Sequence, residues 1–183
     1  SNDDDNTDFT VGVVGLQQNE GNYDLPPGVV LEQLNNNNNI IRQNEQSLQL
    51  EVCDLEPEDS RGVFKNINID MRQYNKLRMF IHADEGESNT LVSDGDLVGF
   101  IRMGNDFTQN FYQIEVPLQV STGTLSPTDV WPEANEINLK LEVLEQIKSL
   151  GISNGTLANI DPTFYDVTDS GLTEVGEFDP HTM

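Results

Sequence analysis

Apolar and polar residues alternate with a period of two through the middle of the chain. Leu48, Leu50 and Val52 share one face; Val63, Ile67 and Ile69 share another, with Lys65 interrupting. Leu77, Met79, Ile81 and Ala83 alternate with Arg78, Phe80 and His82. Leu97, Ile101 and Met103 alternate with Val98, Phe100 and Arg102, and Tyr112, Ile114, Val116 and Leu118 with Phe111, Gln113, Glu115 and Pro117. Successive side chains of a strand point to opposite faces. The rhythm therefore predicts strands with one face in a core and one facing water or a second layer. Turn residues separate the runs, at Glu58 to Gly62, Asp94-Gly95-Asp96 and Gly104-Asn105-Asp106. Residues 97–103 and 110–118 read as a hairpin with a loop at 104–109, and Pro117 points to an edge or a strand end.

Residues 9–16 predict a first strand and 17–28 a loop rich in Gly and Pro. The asparagine run Asn35 to Asn39, short and flanked by apolar residues, reads as a loop. The period changes at Leu141, Val143, Leu144, Ile147 and Leu150, which predicts one helix over about 141–150 with Gly151 as its C-terminal cap. Beyond 151, loops and short strands near 164–168 and 173–178 are expected. Many short strands and one helix predict an all-β, mainly antiparallel fold, a jelly-roll-like β-sandwich with extended arms. The expected division is an N-terminal arm over 1–44, the sandwich with its terminal helix over 45–150, and a loop-rich extension over 151–183. A chain of 183 residues suffices for one core, burying roughly 70% of its unfolded surface.

Charge changes the picture. Nine Lys and Arg against 32 Asp and Glu give a net charge of −23. Nucleic acid needs basic side chains to neutralise its phosphates, and anionic lipid repels such a surface, so both are excluded as partners. Solubility through self-repulsion is the plain consequence; a cation or a basic partner is the sharper one. No apolar run approaches the roughly 20 residues of a membrane-spanning helix, and no signal peptide opens the chain. Ser1-Asn2 reads as the scar of a cleaved tag, and both ends are polar, so the sequence is expected to be an excised piece.

Catalytic chemistry finds little material. Cys53 is the one cysteine; it ends an alternating run and reads as a small apolar residue. His82 and His181 are the only histidines, and no glycine-rich nucleophile turn accompanies them. Asp54, Glu56, Glu58 and Asp59 sit among Pro and turn residues, as a solvated loop rather than a glycosidase pair. Asp84, Glu85, Glu87, Asp94 and Asp96 supply the hard oxygen ligands calcium wants around one predicted loop, although the spacing is not that of an EF-hand. A solvated loop is the reading preferred, a structural calcium the one ion the residues could hold, and no other cofactor is called for. Tyr74, Phe107, Phe111 and Trp131 could stack on sugar rings, or pack in the core.

Two resemblances follow from particular segments. Lys65 to Ala83, an Asp-containing turn leading into Tyr74-Asn75-Lys76-Leu77-Arg78-Met79-Phe80, resembles the central strand of galactose-binding-like carbohydrate-binding modules. A closer one runs in order over residues 26–150: Pro26 to Leu34 entering the asparagine run, Ile40 to Leu48, Val52 to Arg61, Val63 to Arg72, Phe100 to Thr108, and Trp131-Pro132-Glu133 with Asn135 to Leu139. Together these resemble the SprA/Sov family of large outer-membrane proteins of gliding motility and type IX secretion. That resemblance implies a parent that forms the translocon barrel, through which folded cargo passes and leaves sideways, helped by a PorV-like barrel partner and a periplasmic plug protein. It implies no catalytic residues. Short strands and an acidic surface make this chain a soluble domain inserted in the barrel chain, at the extracellular or periplasmic face of the outer membrane. Its expected role is a non-enzymatic scaffold or protein-contact module touching the rest of the parent, the barrel partner, the plug or cargo. A carbohydrate-binding module of the envelope is the alternative.

Overall fold

The computed structural model describes residues 6–19, 21–31, 33–36, 39–86, 91–121, 127–158, 163–168 and 171–175. In chain order the elements are β1 (Asp8–Gly15), β2 (Gln33–Asn36), β3 (Asn39–Arg42), β4 (Gln46–Cys53), β5 (Lys76–Met79), β6 (Val98–Gly104), β7 (Phe111–Pro117), α1 (Pro127–Val130), β8 (Ile137–Lys140), α2 (Glu142–Asn154), β9 (Phe164–Thr168) and β10 (Gly171–Val175). The strands pair as β1 with β4, β2 with β3, β5 with β8, β6 with β7 and β9 with β10, all antiparallel. The fold is β-rich and antiparallel with one helix of substantial length. The expected jelly roll is not what the described strands form: each sheet has two strands, where a jelly roll stacks two broad ones.

The chain divides after Ile69 into two units. The division falls later than the expected boundary at residue 45 because β4 finds its partner in β1. In the first unit, β1 and β4 form an eight-residue ribbon in the register Phe9–Val52, Val11–Leu50 and Val13–Leu48. The asparagine run, expected to be a loop, contributes to β2 and β3, with Asn36 facing Asn39 across the register. Residues 63–69, expected to form a strand, have no regular structure. They follow the left-handed Asp54 and Glu58 (φ 54° and 67°), which break the extended path.

The second unit holds the core: Ala83, Leu118, Trp131, Ile137, Leu139 and Leu141 are buried. Ile137 and Leu139 lie on β8 opposite Met79 and Leu77. Past β5, the chain reaches Asp84, which makes an isolated parallel bridge with Ser121, and the Ser121 amide donates to Ala83 O at 2.8 Å. This joins the segment after β5 to the segment after β7. Gly99 packs closely here: a Cβ would stand 3.2 Å from both the Ile81 and Leu118 side chains, which would have to shift slightly. The helix α2 runs one turn beyond the expected end. Gly151 is not the cap but an interior position, where a Cβ would meet Leu157 at 2.6 Å. The cap is Gly155, at φ 70°, whose amide reaches back to Gly151 O and Ile152 O.

Candidate functional site

The alternation along β5 and the residues after it gives two faces. One carries Arg78, Phe80 and His82, and Trp131 packs against it. The Trp131 ring stands edge-on to Phe80 at 6.3 Å and to His82 at 6.0 Å between centroids, and it is 8% exposed. Arg78 lies over Phe80 at 4.5 Å and grips Glu136 with two hydrogen bonds, of 2.5 and 3.0 Å. That grip holds the Glu136 carboxyl below its usual range, against a smaller opposing effect of burial, and pushes the Arg78 guanidinium up.

His82 looks catalytic by composition, because Asp84 and Ser121 are beside it. The geometry is that of a strap. Nδ1 is 2.6 Å from Val130 O, which only accepts, so this nitrogen carries the proton. Ser121 Oγ approaches the same nitrogen at 3.5 Å and is also within 3.4 Å of Asp129 O. Asp84 Oδ2 faces Nε2 at 3.2 Å. No unprotonated ring nitrogen faces the serine, which a general base would require. His181 lies outside the described residues.

Asn135, named in the sequence only within the Trp131 to Leu139 segment, is the most enclosed side chain among the described residues, with 0% exposure. Its Oδ1 accepts from the Gln119 amide at 2.7 Å, and its Nδ2 donates to Gln119 O at 2.9 Å. The side chain thus imitates a neighbouring strand and closes the ladder after β7. The signal was faint: one Asn in the Trp131 to Leu139 segment.

Four of the five acidic residues proposed for calcium are engaged with protein donors. Asp84 Oδ1 accepts from Gly86 N and Glu85 from Val92 N; Asp94 accepts from Val120 N and Asp96 from Ser93 N. Glu87 lies outside the described residues. Among the described residues no three His, Cys, Asp or Glu side chains converge as a metal site would need. Asp59 pairs with Arg61, and Cys53 is exposed at the end of β4 rather than packed.

The four candidate stacking rings are not one platform. Trp131 is buried, and the Arg102 guanidinium covers Phe111 at 4.2 Å. Tyr74 and Phe107 are exposed, at 55% and 52%. Phe107 rides on the loop between β6 and β7. There Asp106 accepts from the backbone amides of Thr108, Gln109 and Asn110 and from the Asn110 side chain. Those donors hold the Asp106 carboxyl well below the usual carboxylate range, Asn110 having the largest effect.

Among the described residues, the ribbon of the first unit presents an open apolar face. Phe9, Val11, Val13, Leu48, Leu50 and Val52 all fall on one face. The last five are between 38% and 58% exposed. The opposite, polar face is the tethered one: the Tyr23 hydroxyl and Ser47 Oγ are 2.6 Å apart, and Asn19 Oδ1 accepts from Gly15 N. The alternation of Leu48, Leu50 and Val52 marked half of this face in the sequence and assigned it to a core.

Among the described residues no helix is long and apolar enough to cross a membrane. No curated protein matches the chain. The family model SprA_N, described as motility related/secretion protein, matches residues 1–173. The resemblance read from Pro26 through Leu139 therefore holds over nearly the whole sequence, and the chain belongs to the SprA_N family of motility-related and secretion proteins.

Proposed function

We propose that the chain is a non-enzymatic assembly module of the cell envelope, a scaffold or protein-contact piece of the type IX translocon. One observation carries this reading: the ribbon of β1 and β4 leaves Val11, Val13, Leu48, Leu50 and Val52 exposed on one face. A two-stranded ribbon is marginal alone in water, and its apolar face gains stability only when something covers it. The strap at His82 supports the same reading, because its donors and acceptors are spent on holding segments together. The rest of the parent barrel chain, a PorV-like barrel partner, a plug protein or cargo are the contacts it would make, at the outer membrane.

The test is made in the parent protein within cells. Residues 6–175 are replaced by a flexible linker, and cargo secretion and gliding are measured beside the amount of parent in the outer membrane. Loss of secretion with the parent still in place is expected. Normal secretion would overturn the reading.

A further inference from the structure

We infer that the outward face of the β1–β4 ribbon is a docking surface for a protein segment that presents an apolar strip flanked by Lys and Arg. This deepens the assembly reading above and rests on it. The surface is defined by three cross-strand pairs, Phe9–Val52, Val11–Leu50 and Val13–Leu48. Such pairs are the unit of sheet packing, and here they face outward. Isolated exposed apolar residues are ordinary; a contiguous strip of five exposed side chains, continued by the half-buried Phe9, marks an interaction site.

Three occupants would satisfy the hydrophobic requirement, and charge and length separate them. Hydrocarbon is a poor fit. From Phe9 to Val13 the stripe advances four residues, about 14 Å at the rise of a strand, against an apolar band about 25 Å tall on membrane barrels. It also ends on Asp8 and Asp54. A second copy of this chain fits no better. Asp8, Asp54 and Glu56 lie at one end of the ribbon and Glu45 at the other, and Arg42 is the only basic residue between residues 1 and 60. Two such faces brought together would repel. A partner with the opposite rim gains at both steps: its apolar strip covers the valines and leucines, and its cations meet the acidic ends.

The whole 183-residue chain, with labelled Val and Leu methyl groups, is titrated by NMR with two synthetic strand peptides. Both alternate Val with a charged residue, Lys in one and Glu in the other. The Lys peptide is expected to shift the methyl signals of Val11, Val13, Leu48, Leu50 and Val52. It should bind at least about tenfold tighter than the Glu peptide and weaken with added salt. The double variant Val13→Thr with Leu50→Thr keeps strand-compatible residues and should lose binding about tenfold or more. Equal binding of both peptides, or shifts confined to other methyl groups, overturns the proposal. So does flotation with lipid vesicles, or a dimer by sedimentation, that the double variant abolishes. If the peptide preference holds while the double variant in the parent secretes normally, the docking surface stands and the assembly reading fails.

Discussion

Asn135 is the residue whose loss should be felt most. It is enclosed, and both ends of its amide are paired with Gln119. Removing the amide leaves a backbone donor and acceptor unsatisfied, and each such buried group costs about 1–3 kcal/mol. Asn135→Ala is therefore expected to lower stability by about 2–4 kcal/mol, read from the urea midpoint; a change below about 0.5 kcal/mol would show that water replaces the amide freely. At this scale the sequence was partly legible. His82 had no nucleophile turn beside it in the sequence, and it lies between Val130 and Asp84. Trp131 stayed open between packing and sugar stacking, and it packs. The role of Asn135 was not legible, because it depends on which loop carbonyl the fold brings to it. A polar residue between apolar ones looks the same whether it faces water or closes a ladder.

At the scale of elements, charge–donor pairs fix the connections. Asp106 organises the loop between β6 and β7, and Glu136 anchors the entry to β8 through Arg78. Both carboxyls titrate below their ordinary values in the folded chain. A lowered folded value means a contribution present above the unfolded value, near pH 4, and lost as pH falls below it. The urea midpoint is thus expected to drop between about pH 5 and pH 3, and the double variant Asp106→Asn with Glu136→Gln should flatten that drop. A drop of equal size in the variant would assign acid sensitivity to other carboxylates. The sequence pattern located β1, β4, β6, β7 and β9 to within a residue or two. It failed at 63–69, where apolar spacing suits a strand but no described strand pairs with it. It also stopped α2 too early, because Gly151 was read as a cap when it serves close approach of Leu157.

For the whole molecule, the two units differ in what they bury. The second has a core of Ala83, Leu118, Trp131, Ile137, Leu139 and Leu141, whereas the large apolar side chains of the ribbon stay open. Period-two alternation reports only that one face of a strand is apolar; it does not say what covers that face. The sandwich expected over residues 45–140 assumed that the chain covers its own strands. A chain of residues 70–183 made alone should consequently melt cooperatively, and residues 1–69 alone should not, as read by circular dichroism. A cooperative melt of 1–69 would mean that the ribbon is self-sufficient. The same contrast can be read most directly in the intact chain by hydrogen exchange, which measures how often each pair of strands opens. The amides of β1 and β4 are expected to exchange at least about tenfold faster than those joining β5 to β8, and to slow when the Lys peptide is added. Protection of the ribbon equal to that of β5 and β8 in the free chain would contradict the claim that its outward face awaits a partner.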